Sequence, residues 1–419
     1  MGITLVDDAI GLVTRRCSTP SDLASVTDIG DEPAASDAGE EVWALVEDVY
    51  RSGMHPGIQV AIRHGGEVAL DRAIGQARGV HPGRRFDPSD AVRLTVDTPV
   101  NLFSAAKAVT AMTMHKLEEM GELDLDDTIA RHVPGFEAHG KADITIRQVL
   151  SHRAGLSTLP GEAFDLDLLT DHHEVERIVC ELRPGVFPSP APEYHAVTGG
   201  FVMEAVTQRA TGRSLRDVLA KEIKEPLRLG CFDFGVTGDV VDDVALNVET
   251  GLPLGPVTGF FMKRVLGKPW GEVLEMSNDR RFLEGVIPSG NVIVTARDTA
   301  AFYQCVLNGG ILDDVRVFET ETVERSLEPT HDDMVMDRVL GFPVRYASGF
   351  MLGTESFSPF GWNCPDAFGH IGMSNLFTWA DPARGIAVAV LTTGKPLIGT
   401  HIPPLVKLIG GIGSAFPAE

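Results

Sequence analysis

Ser104 and Lys107 stand one helical turn apart in the run Asn101-Leu102-Phe103-Ser104-Ala105-Ala106-Lys107-Ala108-Val109-Thr110-Ala111-Met112. Residues three apart on a helix share a face, so hydroxyl and amine are neighbours. The surrounding residues are small or apolar, which predicts a buried helix. Burial without a carboxylate favours the neutral form of a lysine. A neutral amine beside a serine hydroxyl takes its proton and makes a nucleophile of it. The plainer alternative is a lysine reaching solvent from a helix edge. Ser104 is the only serine in the chain with a lysine three residues on. A lone Ser-x-x-Lys is nevertheless a weak signal, and other residues must join it.

Two further constellations are available. Tyr194 lies in Pro190-Ala191-Pro192-Glu193-Tyr194-His195-Ala196-Val197-Thr198-Gly199-Gly200, a Pro-rich loop running into a helix. A phenol is a poor base at its ordinary pKa, but a nearby ammonium lowers it. Beside Lys107, Tyr194 would accept the serine proton and pass it to a leaving group. The alternative is a tyrosine capping a loop against the core. Phe368-Gly369-His370-Ile371-Gly372-Met373 reads as an edge strand with glycines on both sides of a histidine. Glycine in a strand lets another backbone or a ligand approach closely. That placement points His370 at a cleft, against the commoner case of a structural histidine.

These residues need a frame to hold them. Residues 1–40 are acidic and rich in small residues, as in Asp28-Ile29-Gly30-Asp31-Glu32-Pro33-Ala34-Ala35, and read as a loosely attached arm. Glu41 to Arg51 has a helical apolar period. Gly57 to His64 and Glu67 to Ala73 flank Gly65-Gly66, a β-hairpin signature. Residues 99–285 read mainly as helices and loops. Strands return at Asn291–Thr295, Ala367–Gly372, Leu376–Ala380 and Ile386–Thr392, and a helix from Ile402 to Ile409 closes the chain. The expected fold is α/β (α+β). An antiparallel β-sheet built from 41–98 and 286–419 is flanked by N- and C-terminal helices, with a helical lobe, 99–285, inserted between. Segment 229–284 is expected to cover the cleft between the lobes, where active sites tend to form.

Composition excludes several classes. The net charge of −23 argues against a nucleic-acid partner. No apolar run approaches the length of a membrane span. The N-terminus shows no basic region followed by an apolar stretch, so no signal peptide is expected. The five cysteines are scattered without a C-x-x-C and read as reduced thiols in a cytoplasmic protein. No G-x-S-x-G elbow, H-E-x-x-H, P-loop or G-x-G-x-x-G is present. His172-His173-Glu174 reads as a solvated loop rather than a metal site, because adjacent histidines point different ways.

Taken in order, these segments resemble the serine β-lactamase and penicillin-binding-protein superfamily, and most closely its class C-like branch, the family VIII carboxylesterases. The resemblance rests on Ser-x-x-Lys, a loop tyrosine about 90 residues later and a Gly-flanked His-x-Gly strand near the C-terminus. Gln148 to Leu156 is similar to the family's LLSHTSGL stretch, and Ile287-Pro288-Ser289-Gly290 through Asp298 to its sTARDLARF stretch. It runs from about Gly53 to Thr393 and implies a β-lactamase/transpeptidase-like fold. It implies Ser104 as nucleophile, Lys107 and Tyr194 as general base and acid, and the backbone N–H groups of Ser104 and Met373 as oxyanion hole. Neither metal nor organic cofactor is implied.

The departures bear on substrate. Lactamases carry Tyr-x-Asn where this chain has Tyr194-His195-Ala196, and Lys-Thr-Gly where it has His370-Ile371-Gly372. The first loses a partner for a lactam side-chain amide. The second loses a fixed cation and a hydroxyl suited to a carboxylate. Both point to a small neutral ester, with His370, Gly372 and His195 as substrate contacts, and His195 as substitute base if Tyr194 is structural. The alternatives are a β-lactamase, a D-amino-acid peptidase or an acyltransferase of the same superfamily, or a binding protein without turnover. The sequence leaves the oligomeric state open, a homodimer included.

Overall fold

In the computed structural model, residues 14–30, 36–84, 87, 89–157, 165–169, 171–185, 189 and 191–418 are described. The main sheet is antiparallel. Its main path comprises β1 (Thr27–Ile29), β2 (Gly57–His64), β3 (Glu67–Arg78), β4 (Met351–Leu352), β5 (Phe368–Gly372), β6 (Leu376–Asp381) and β7 (Ile386–Thr392), and an eighth, short strand, Val92–Arg93, pairs with β3 off that path. Along the path the order is β1-β3-β2-β7-β6-β5-β4. Both ends of the chain therefore build one sheet, and β2 meets β7 with Val60 opposite Val390. Gly65 and Gly66 turn β2 into β3 with φ of +58° and +91°, a conformation glycine adopts without a Cβ penalty.

Strand alternation sorts side chains by size. Val60, Ile62, Val388 and Val390 face helices α1 (Asp37–Arg51) and α6 (Ile402–Ala415), which pack on each other. Ala61, Ala387 and Ala389 face the other way, into the core that holds α2 (Ala106–Glu119) and α5 (Ala296–Leu307). With helices on both faces, β7 is buried throughout, which is why it reads as the unbroken run Ile-Ala-Val-Ala-Val-Leu-Thr. Helix α2 is buried from Ala106 to His115 and again at Leu117, so its own periodicity carries no amphipathic signal.

Four expectations need correction. The Gly-flanked strand β5 is not the sheet's edge, because Met351–Leu352 pairs with Phe368–Gly369 beyond it. Within the segment expected to be a loose arm, Thr27–Ile29 pairs with Arg72–Ile74 and forms the sheet's edge; residues 1–13 and 31–35 of that arm lie outside the described residues. The strand near 291–295, Val292–Val294, does not join the main sheet. It pairs with Val100–Asn101 and Phe232–Phe234 in a separate three-stranded sheet. A short apolar run declares a strand but not its partner. The run His172-His173-Glu174 is the first turn of a helix, His172–Glu181, capped by Asp171, whose carboxylate accepts from the His173 and Glu174 amides.

Candidate active site

The small sheet positions Ser104. Leu102 N donates to Val292 O, and Phe103 N to the side-chain oxygen of the buried Asn101. Phe103 then takes φ +49°, a left-handed value unusual for a bulky residue. Such strain persists only where surrounding structure over-determines it, and it clusters at functional sites. Ser104 follows in a single 3₁₀ turn, Phe103–Ala105, that runs directly into α2. On its other side the turn packs against β5. Gly372 permits that approach, since a Cβ there would sit 2.5 Å from Leu102 O.

Lys107 is buried one turn on. Its Nζ lies 2.8 Å from Ala196 O, 3.0 Å from Ser289 O and 3.3 Å from Ser104 Oγ. None of these partners is a carboxylate. Burial lowers the Lys107 pKa to about 7. In the neutral form, two N–H groups serve the two carbonyls and the lone pair is left for the serine hydroxyl. The carbonyls come from distant segments that are themselves pinned. Ser289 Oγ accepts from Gly200 N, and Thr110 Oγ1 donates to Pro288 O.

Tyr194 is buried beside them, and with Ser104 it lines the same cavity. Lys107 Nζ sits over the ring face, 4.8 Å from the centroid. Sequence alone predicts that a neighbouring ammonium lowers the phenol's pKa. The opposite holds: burial raises it well above its usual value, because the phenolate would be desolvated. Tyr194 is thus a hydroxyl that stays protonated, and Lys107 is the group able to accept a proton near neutrality. Asp337 fixes the tyrosine loop, its Oδ1 accepting from the amides of Tyr194, Val339 and Leu340.

The two expected histidine contacts are placed elsewhere. His195 is fully buried, with Nε2 accepting from Leu156 N and Nδ1 3.3 Å from Val149 O. Burial holds its pKa at about 4. Both ring nitrogens serve the backbone, so it is a loop anchor and does not line the cavity beside Ser104. On β5, Ile371 lines that cavity, while His370 is buried with its ring centroid 6.3 Å from that of Tyr194. Successive strand residues point to opposite sides, which accounts for the difference. His370 Nδ1 lies 2.7 Å from Ile371 O, and burial, then Lys107, push its pKa to about 3.

Two residues escaped the sequence reading. His152, at φ +60°, accepts from His195 N through Nδ1 and packs its ring 4.7 Å from Tyr194. It falls inside the Gln148–Leu156 stretch, which was the available signal. Lys395 is buried, donates to Thr392 O and lies 4.9 Å from the Phe103 ring centroid. Burial lowers its pKa to about 7. Nothing local in Thr392-Thr393-Gly394-Lys395 announces this.

Ser104 opens on a cavity of about 300 Å³. Tyr194, Ala196, Ser289, Gly372 and Met373 line it near the serine. Its outer wall comes from helices α3 (Pro256–Leu266) and α4 (Trp270–Ser277), through Met262, Val265, Leu266 and Trp270. Among the described residues, no Asp, Glu, Lys, Arg or His lines it.

Residues 44–405 match the family model described as Beta-lactamase. The esterase/beta-lactamase LipL of Mycobacterium tuberculosis is 31% identical over 317 residues, covering 73% of this chain and 71% of that protein. A penicillin-binding protein homolog from Caulobacter crescentus superposes with a TM-score of 0.77 at 26% identity, covering 91% of this chain and 98% of that one. A family VIII carboxylesterase shares the fold with a TM-score of 0.76 at 23% identity, covering 89% of this chain and 97% of that one.

Proposed function

Since this chain belongs to the β-lactamase family of serine hydrolases, we propose that it cleaves small neutral carboxylic esters through an acyl-enzyme on Ser104. Neutral Lys107 takes the Ser104 proton as Oγ attacks the ester carbonyl. The backbone N–H groups of Ser104 and Met373 hold the tetrahedral oxyanion, each donor contributing roughly 3 kcal/mol in the transition state. The proton on Lys107 passes through the Tyr194 hydroxyl to the leaving alkoxide, and the alcohol departs. Water then attacks the acyl-enzyme, Lys107 accepts its proton, and that proton returns through the Tyr194 hydroxyl to Ser104 Oγ as the ester bond breaks, which restores neutral Lys107 and protonated Tyr194.

The observation that carries the substrate class is the uncharged cavity wall. A penicillin or cephalosporin would bring a carboxylate into it without a cationic side chain to meet it. Leaving a charge unpaired in an apolar site costs several kcal/mol. Ala196, next to Ser104 on the wall, offers no side-chain amide partner. A neutral acyl chain fits such a surface. The test is a set of p-nitrophenyl esters of graded acyl length run beside a chromogenic cephalosporin. The expected ratio of kcat/KM, best ester over cephalosporin, is well above one; a ratio below one refutes the ester assignment.

A further inference from the structure

The helix that walls the cavity has a second apolar face. Helix α3 turns Met262, Val265 and Leu266 toward the cavity. Its outward face carries Val257 and Phe260, 83% and 71% exposed, while Phe261, 38% exposed, also lines the cavity. Positions 257, 260, 261 and 264 fall on one side by helical spacing. The apolar surface continues beyond the helix. Leu252, whose N–H donates to Ile398 O, is exposed together with Ile398. At the cavity mouth Phe342, exposed and lining the cavity, follows Gly341, which lies against the Phe261 ring. Contiguous exposed apolar surface of this kind marks an interaction site.

Charge says what it meets. The stretch from Thr250 to Gly271 contains no Asp or Glu, in a chain where acids make up 59 of 419 residues. It carries Lys263, Arg264 and Lys268. Lys263 and Arg264 are exposed, and only Lys268 has an ion pair among the described residues, with Glu272 at 3.8 Å. Charges farther than about 8 Å are largely screened at physiological ionic strength, so the unpaired Lys263 and Arg264, with Glu249 and Glu272 flanking the stretch, weigh more on an approaching surface than the net charge of −23.

We propose that this face docks the protein on an anionic lipid surface. Val257 and Phe260 enter the boundary between headgroups and acyl chains, and Lys263 and Arg264 meet headgroup phosphates. Apolar side chains beside basic ones on a helix lying in the plane of the interface are the physical basis of such binding. No helix among the described residues is long and apolar enough to cross a membrane. Docking sets the cavity wall against the lipid. It does not depend on the ester reading, and Ser104→Ala should dock as well as the wild type.

The test is sedimentation of the full chain with vesicles of phosphatidylglycerol and phosphatidylcholine, against phosphatidylcholine alone. The wild type should pellet with the anionic vesicles and be released by high salt. Lys263→Glu/Arg264→Glu and, separately, Val257→Ser/Phe260→Ser should each lower partitioning on the order of 10-fold or more while short-ester hydrolysis persists. No binding to anionic vesicles, or binding indifferent to both double variants, overturns the proposal. Light scattering adds another route to refutation. A dimer dissociated by Val257→Ser/Phe260→Ser, with no vesicle binding, assigns the face to a second copy of the chain.

Discussion

The pH dependence of turnover tests the reading of Lys107. An ordinary lysine, with a pKa near 10.4, is neutral in only about one molecule in 2,500 at pH 7. Burial with no carboxylate partner brings Lys107 to about 7, where about half the molecules hold a free amine. Desolvation thus increases the available base on the order of 10³-fold. Activity needs the deprotonated amine, so kcat/KM for p-nitrophenyl acetate should rise with pH. It should climb about tenfold per unit below pH 6, pass its midpoint near 7 and level off above 8. The neighbouring histidines do not supply this limb, since burial holds His195 near 4 and His370 near 3. Tyr194 lies on the other side, its phenol protonated well past the plateau. Initial rates from pH 5 to 10, corrected for spontaneous hydrolysis, give the curve. Lys107→Ala should remove the limb and leave a residual rate lower on the order of 10²–10⁴-fold. A midpoint at 9 or above, or a limb that survives in Lys107→Ala, refutes the assignment.

Other outcomes follow from the same geometry. Tyr194→Phe should lower kcat on the order of 10²-fold and combine non-additively with Lys107→Ala, because both serve one proton path; near wild-type turnover would make the tyrosine structural. Trp270→Ala should widen the cavity wall and shift ester preference toward longer acyl chains, read as a change in the ratio of kcat/KM between octanoate and acetate esters; an unchanged ratio would place the acyl chain elsewhere. Lys395 has its pKa lowered in the folded state, so the folded protein binds fewer protons than the unfolded one between about 7 and 10.5. Its contribution to stability therefore rises with pH across that window. The Tm of Lys395→Met should exceed that of the wild type at pH 7, and the gap should narrow toward pH 9; a gap that does not change with pH would mean that Lys395 is not desolvated.

The nucleophile helix was legible because its signal is local: Ser104 and Lys107 are one turn apart, and the residues between and beyond them are small. What makes the pair work was not local. Lys107 takes its carbonyls from Ala196 and Ser289, 89 and 182 residues away. Sequence also placed a phenol near an amine without showing whether water reached either, and that missing fact reversed the expected direction for Tyr194. His370 was found on its strand but assigned to the cavity side, since glycine neighbours mark a close approach without saying which face makes it. The glycines themselves were read correctly: β5 passes Leu102 O and the Thr378–Trp379 backbone too closely for any Cβ. The hairpin of β2 and β3 was legible through Gly65-Gly66, whereas Val292–Val294 found its partners across the chain, where turn chemistry gives no guidance.

The most direct test of the account is to trap the intermediate. Rapid acid quench of the enzyme turning over p-nitrophenyl butyrate, followed by intact mass and peptide mapping, should show one butyryl group, carried on Ser104 and lost in Ser104→Ala together with activity. A butyryl group on any other residue, or undiminished hydrolysis by Ser104→Ala, contradicts it.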